Sequence, residues 1–184
     1  MRRPPTDPPP SNDAGPLTRR GLLRHAALGA GAAVVAPAWL ADRARAAGQA
    51  DALLLSCMDF RLMDEIEHYM AGRGLRDKYD HIVLAGASLG AVTDRYPAWN
   101  KVFWDHLGLA VSLHAVPKVI VMDHRDCGAY KVILSEDIAK DPVKEREFHA
   151  RTLKQLAGLI QKRQPQLAVE LLLMSLDGSV EEIT

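Results

Sequence analysis

Short apolar runs alternate with stretches of helical spacing between residues 51 and 174. The runs are rich in aliphatic side chains, which is typical of parallel strands buried on both faces, and lie at residues 51–56, 81–85, 118–122 and 169–174. Between them, apolar residues recur at helical spacing, which predicts helices at residues 64–70, 98–113, 128–134 and 142–162. The alternation predicts an α/β fold with a mostly parallel sheet of four strands, flanked by helices. A short edge strand is expected after the Asp177-Gly178 turn.

The first 46 residues have the order of an export signal. Paired arginines, Arg19 and Arg20, precede an alanine- and glycine-rich apolar stretch at residues 26–40, and the small-residue sequence at 44–46 resembles a cleavage site. This order predicts a twin-arginine signal peptide that is removed, and a protein handed to the twin-arginine export machinery. We therefore expect a periplasmic or otherwise extracytoplasmic location. A membrane anchor is the weaker alternative, because spanning a bilayer takes about 20 apolar residues.

The remaining residues, 47–184, are enough for one compact domain. The signal holds seven of the 23 basic and three of the 23 acidic residues, so the mature part keeps 16 basic and 20 acidic residues and a net charge of −4. No basic patch interleaved with aromatic residues is visible, which argues against binding to nucleic acid.

Both cysteines of the chain lie in short motifs that follow apolar runs. Cys57 opens C-x-D-x-R with Asp59 and Arg61, and His124 opens H-x-x-C-G with Cys127. If the first and third strands are neighbours, the two motifs meet at one sheet edge. Two thiolates, one imidazole and one carboxylate form a ligand set for tetrahedral Zn²⁺, unless the arginine holds the carboxylate off the metal. The alternatives are one disulfide between the cysteines and an ordinary surface salt bridge between the aspartate and the arginine.

These two motifs, together with the helix-to-strand segment at residues 104–121, resemble the β-class carbonic anhydrases over about residues 51–178. The resemblance implies that Cys57, His124 and Cys127 bind zinc and that Asp59 and Arg61 are the catalytic pair. In the family's active form the arginine holds the aspartate and water takes the fourth zinc position; in the inactive form the aspartate is the fourth ligand. The implied reaction is reversible hydration of CO2 to bicarbonate by a zinc-bound hydroxide.

The chain also departs from the family pattern. Family members usually have Arg-Asn-Ala-Gly at the end of the second strand, where this chain has Leu-Ala-Gly-Ala at residues 84–87, and Asp123 stands where a glycine usually precedes the ligand histidine. A homodimer is an open alternative, since the family's active site lies near a dimer interface. Two further functional alternatives are hydrolysis of COS or CS2 at the same zinc site and a non-catalytic zinc-binding module closed by Asp59.

Residues 86–90 fit the G-x-S-x-G pattern of a serine hydrolase, with Ser88 as the nucleophile. Asp123 and His149 would be its later acid and base. The pattern normally leads straight into a helix, and we expect Pro97 to interrupt that stretch. A glycine-rich turn whose backbone N–H groups line the pocket is the simpler interpretation.

The other polar and aromatic candidates have structural interpretations. Asp123 is expected either to support a ligand or to cap a strand end, Asp126 to be solvated, and Gly128 to allow close backbone approach or to begin a helix. Five further histidines are expected to be surface or packed residues, namely His68, His81, His106, His114 and His149. Three aromatic residues are expected to lie in the core or at a subunit interface, namely Trp99, Phe103 and Trp104.

Overall fold

The computed structural model describes residues 48–184. The predicted signal peptide at residues 1–46 lies outside the described residues. Between residues 48 and 184, every helix is too short or too polar to cross a bilayer.

A five-stranded sheet forms the centre of the described part of the chain. Its spatial order is β2-β1-β3-β4-β5, with strands β1 (Ala52–Ser56), β2 (Tyr79–Val83), β3 (Lys118–His124), β4 (Ala168–Met174) and β5 (Val180–Glu182). The first four strands pair in parallel, and β5 pairs with β4 in antiparallel fashion. This confirms the predicted α/β fold, including the short edge strand.

Helices cover both faces of this sheet. They are α1 (Met63–Gly72), α2 (Ser88–Val92), α3 (Pro97–His114), α4 (Gly128–Leu134) and α5 (Pro142–Arg163), with 3-10 turns at Phe60–Leu62 and Ile138–Lys140. Because successive strand residues point to opposite faces, Leu54 packs with residues of α1, whereas Leu53 and Leu55 pack with residues of α3 and α5. Two separate apolar cores result, one on each side of the sheet.

The long helix α5 begins at a strong local signal. The side chain of Asp141 accepts hydrogen bonds from the backbone N–H groups of Val143 and Lys144, and Pro142 takes the first helical position, where no N–H is needed. Its buried positions recur at helical spacing, with Leu153, Leu156 and Ile160 fully enclosed. The sequence pattern therefore predicts this helix to within a residue of its observed end.

Three elements near the site differ from the prediction. Strand β2 lies two residues earlier than expected, and its register with β1 runs from Ala52 opposite Tyr79 to Ser56 opposite Val83. Residues 88–92, in the stretch where Pro97 was expected to prevent a helix, form helix α2, whose first four residues are all buried. Strand β3 also continues past residue 122, so that His124 is its last residue. The turn between β2 and α2 contacts the first cysteine motif, because the Gly86 N–H donates to Cys57 Sγ.

Candidate metal centre

Three side chains from two neighbouring strand ends converge at one edge of the sheet. Cys57 follows β1, His124 ends β3, and Cys127 lies just before α4. One ligand atom from each lies within 4.8 Å of the others, and all three residues are buried. The adjacency of β1 and β3 produces this convergence, as the sequence pattern predicted. The cluster could hold a metal ion.

The two cysteines are free thiols. Their Sγ atoms lie 3.9 Å apart, well beyond the length of about 2.05 Å of a disulfide bond. The structure therefore does not contain the disulfide that was the alternative interpretation of the two cysteines.

His124 presents one ring nitrogen to the cluster. Its Nδ1 donates a hydrogen bond to the backbone carbonyl of Arg125 at 2.8 Å. Its Nε2 is buried and has no hydrogen-bond partner among residues 48–184. A buried nitrogen without a partner is costly, and histidines that bind metals typically have their other ring nitrogen hydrogen-bonded in this way.

The protonation of the two thiols is coupled. Hydrogen bonding with Cys127 lowers the pKa of Cys57, against the raising effect of burial and with a further lowering contribution from His124. The pKa of Cys127 is raised by the same neighbouring sulfur. Burial opposes the charged form of His124, but the neighbouring Cys57 outweighs this effect, so the pKa of His124 is raised overall. Binding of a metal to both sulfurs would displace any proton that they carry.

Arg61 holds the carboxylate of Asp59 at the edge of the cluster. Its Nε donates to Oδ1 at 2.9 Å and its Nη2 to Oδ2 at 2.8 Å. Hydrogen bonding from Arg61 lowers the pKa of Asp59 from 3.8 to about 2. Asp59 Oδ2 also lies 3.8 Å from His124 Nε2. The carboxylate thus stands beside the three ligands with both oxygens bound by the arginine.

The same guanidinium also binds the second motif. Arg61 Nη1 donates to Asp126 Oδ2 at 2.8 Å, and Nη2 donates to the Asp126 backbone carbonyl at 2.9 Å. Asp126 has a left-handed backbone, with φ of 54°, and its N–H donates to the buried Glu145 at 2.6 Å. Sequence reasoning expected a solvated Asp126 and did not consider Glu145. No local pattern marks either contact, because the partners are 19 and 65 residues apart.

An apolar pocket of about 390 Å³ opens over the cluster. Its walls carry both cysteines, Asp59 and a set of mostly apolar residues, namely Met58, Phe60, Ala85, Tyr96, Trp99, Gly128, Ala129, Val132 and Ile133. Trp99 is stacked on Tyr96, with ring centroids 4.1 Å apart. Both side chains form part of the pocket wall, so Trp99 is not a core residue. The pocket suits a small, uncharged molecule.

The residues of the proposed serine hydrolase are assembled differently. Helix α2 begins directly at Ser88, so the expected interruption by Pro97 was wrong. However, Ser88 is fully buried and its Oγ donates to Asp123 at 2.6 Å, while His149 contacts Asp123 at 2.9 Å on the same carboxylate. A nucleophile needs access to substrate and a base at its own hydroxyl. Ser88 has no access to substrate, and the histidine contacts Asp123 and not the serine hydroxyl.

The other histidines and aromatic residues considered in the sequence are packed in or against the core, paired with another side chain, or exposed. Phe103 is in the core, and Trp104 lies against the core with the Arg163 guanidinium 3.9 Å above its ring. His149 is fully buried, whereas His68, His81 and His106 are exposed. His114 is the last residue of α3 and pairs with Asp80 at 2.7 Å.

Comparison with known proteins decides the family. The family model described as "Putative carbonic anhydrase" matches residues 47–184. The chain belongs to this carbonic anhydrase family. Two relatives are similar in sequence to this chain over 135 residues. "Uncharacterized protein RC0076" of Rickettsia conorii is 40% identical, with 73% of each chain covered. An "Uncharacterized protein" of Rickettsia bellii is 41% identical, with 73% of this chain and 82% of the relative covered.

Solved carbonic anhydrases share the fold at low sequence identity. A β-carbonic anhydrase of Sordaria macrospora, one of two described as tetrameric, superposes with a TM-score of 0.50 at 12% identity, covering 79% of this chain and 91% of that one. A carbonic anhydrase from Glaciozyma antarctica has a TM-score of 0.49 at 16% identity, covering 83% and 98%. Family membership thus rests on the sequence match, and the Sordaria structure supports the fold alone.

Proposed function

We propose that this member of the carbonic anhydrase family is a zinc enzyme that converts CO2 reversibly to bicarbonate. One observation carries the proposal: the unpartnered Nε2 of His124 faces two sulfurs, beside an Asp59 carboxylate that Arg61 holds. Family membership supports the same activity.

The donor set fits zinc. Sulfurs bound at about 2.3 Å to a tetrahedral zinc lie about 3.8 Å apart, and the Cys57 and Cys127 sulfurs are 3.9 Å apart. Two sulfurs and one imidazole nitrogen would be three protein ligands, the number typical of catalytic zinc. Because Arg61 binds both oxygens of Asp59, the fourth position would be left for water or substrate.

Each surrounding residue has a role that its contacts support. A bound zinc supplies the Lewis acid that makes hydroxide available near neutral pH. Asp59 stays ionised beside Arg61 and can accept a hydrogen bond from the nucleophile, which orients it towards CO2. Arg61 fixes the direction of that carboxylate through two parallel bonds. The apolar walls of the pocket receive the uncharged substrate and limit the number of competing waters.

Zinc content and hydration rate test the proposal together. We expect the purified protein to carry about one zinc per chain and to hydrate CO2 in a stopped-flow assay across pH. Zinc without turnover of CO2, COS or CS2 would indicate the non-catalytic binding module instead. Turnover of COS or CS2 without CO2 hydration would keep the site and replace the substrate.

We also propose that the protein is exported through the twin-arginine route. The support is the order of residues 1–46, with Arg19 and Arg20 ahead of the apolar stretch. Cell fractionation should find the wild-type protein in the periplasm and the doubly substituted Arg19→Lys, Arg20→Lys variant in the cytoplasm. Arg24→Lys is the matched control and should be exported. Export of the doubly substituted variant would contradict the route.

We propose that the folded domain forms a homodimer. Exposed apolar side chains along edge strand β2 and helix α3, namely Val83, Leu109 and Leu113, support it, together with the family resemblance. Sedimentation at micromolar concentration should give twice the mass of one chain, and a monomer under these conditions would contradict the proposal.

A further inference from the structure

A single buried carboxylate accepts hydrogen bonds from three helices around the metal centre. Asp123, the residue before His124, accepts from the Ser88 N–H at 2.9 Å, the Ser88 hydroxyl at 2.6 Å, the Tyr130 hydroxyl at 2.6 Å and His149 Nδ1 at 2.9 Å. None of these four residues is more than 1% exposed. Burying a carboxylate is costly unless several donors compensate it, and here four do.

The turn that supplies the two Ser88 donors also contacts a cysteine sulfur. The Gly86 N–H, two residues before Ser88, donates to Cys57 Sγ at 3.3 Å. The Cys57 sulfur therefore has an N–H donor from a segment anchored on Asp123.

The turn that carries the first donor is held in an unfavourable conformation. Ala87, between Gly86 and Ser88, has φ of 38°, a region that side chains other than glycine rarely adopt. Such a conformation persists only where the surroundings fix it on several sides. Asp123 supplies this restraint, because it binds both the backbone N–H and the hydroxyl of Ser88.

We propose that Asp123 is a positioning residue that aligns the backbone N–H donor of Gly86 with the Cys57 sulfur and thereby strengthens zinc binding. The inference rests on the proposed function in one respect, namely that zinc is the ion bound. A hydrogen bond to a thiolate withdraws negative charge from the sulfur. Groups that hydrogen-bond to ligands in this way tune the metal and fix the ligand orientation. A merely structural carboxylate would hold the helices together and leave zinc affinity unchanged.

Asp123→Asn is the most informative variant because it keeps the shape and removes the charge. The Ser88 and Tyr130 hydroxyls can rotate, and His149 can change tautomer, to accept from the new amide. We expect the affinity for zinc, measured by competition with a chromophoric chelator, to fall about tenfold. Hydrogen exchange at the Gly86 amide, measured by NMR, should accelerate in the same variant.

Leu156→Ala is the control for loss of stability alone. Leu156 is fully buried on the same helix as His149 and has no polar side-chain atom. This variant should lower the midpoint of denaturation and leave zinc affinity unchanged. Ser88→Ala provides a second test that does not depend on the folding of Asp123→Asn. It removes one hydroxyl donor and should weaken zinc binding to a smaller extent.

Three results separate this inference from the proposed function. Asp123→Asn with wild-type zinc affinity and wild-type amide exchange would overturn the inference. Equal losses of zinc affinity in Asp123→Asn and Leu156→Ala would overturn it as well, because stability would then explain both. A wild-type protein that binds zinc but does not hydrate CO2 would overturn the function and leave the role of Asp123 standing.

Discussion

Arg61 binds Asp59 through two parallel hydrogen bonds, from Nε to Oδ1 at 2.9 Å and from Nη2 to Oδ2 at 2.8 Å. The pair lies within one short motif, and other N–H groups of Arg61 bind Asp126 in the other motif. The guanidinium therefore fixes where the Asp59 carboxylate points and also ties the two motifs together.

Removing the Asp59 carboxylate should separate metal binding from catalysis. We expect Asp59→Ala to keep its zinc, because three ligands remain, and to lose CO2 hydration by about a hundredfold or more. Asp105→Ala is the matched control, since Asp105 forms an exposed ion pair with Lys101 within α3. Full turnover in Asp59→Ala would show that the carboxylate does not orient the nucleophile.

The pH dependence of the Asp59–Arg61 pair follows from its pKa. The Asp59 pKa is lowered from 3.8 to about 2 in the folded protein, with hydrogen bonding from Arg61 as the main cause. The ionised carboxylate therefore stabilises the folded state above about pH 4, and this contribution disappears as the pH falls from about 4 to 2. NMR titration of the Asp59 carboxyl carbon should give a midpoint near 2. A midpoint near 4 would mean that the pair is not formed in solution.

Loss of one sulfur should abolish the metal site. We expect Cys57→Ala to be purified without stoichiometric zinc, because only His124 and Cys127 would remain of the three converging ligands. Metal analysis of the folded variant checks this, with circular dichroism to show that the domain is intact. Wild-type zinc content in this variant would place the metal elsewhere.

Two glycines in helices should respond oppositely to the same change. A Cβ at Gly90 would lie 2.3 Å from the backbone carbonyl oxygen of Ala85, whereas a Cβ at Gly108 meets nothing within 4 Å. Gly90→Ala should therefore destabilise the fold by about 1–3 kcal/mol, and Gly108→Ala should stabilise it by about 0.5–1 kcal/mol through helix propensity. Urea denaturation measures both, and a neutral Gly90→Ala would contradict the close contact.

Core packing behind the site can be measured in the same way. Leu54 is fully buried in β1, directly before the first motif, and Leu176 is 42% exposed after β4. Leu54→Ala should cost about 2–5 kcal/mol of unfolding free energy, and Leu176→Ala about 0.5 kcal/mol or less. Similar losses at the two positions would mean that β1 is not the fully buried strand that the structure shows.

Periodicity predicted most of the fold because burial repeats locally along the chain. Strand β3 and helix α5 have regular patterns and clear flanking signals, so their positions follow from the sequence. Helix α2 was missed because it has only five residues and no side-chain cap. Its first residue, Ser88, donates hydrogen bonds to Asp123, which is 35 residues away in the sequence.

The ligand residues were easier to predict than the residues around them. Cysteine and histidine at fixed spacing after strands are informative by chemical type alone, and the structure brings all three together. Asp126 and Glu145 were not predicted as part of the site, because an exposed aspartate and a glutamate in the first turn of a helix look ordinary in sequence. Their roles depend on contacts that only the folded chain reveals.

Arg125, inside the second motif, connects the metal centre to a distant strand. Its guanidinium lies 3.2 Å from Glu145 and 3.4 Å from Glu181 in β5, and Glu181 also pairs with Arg146. Glu181 follows Arg125 by 56 residues. During synthesis on the ribosome, Glu181 emerges well after Arg125. The loop between His124 and Cys127 can therefore form its contact with Glu181 only at that later stage. The corner of the protein that would hold the ion is thus among the last to be completed.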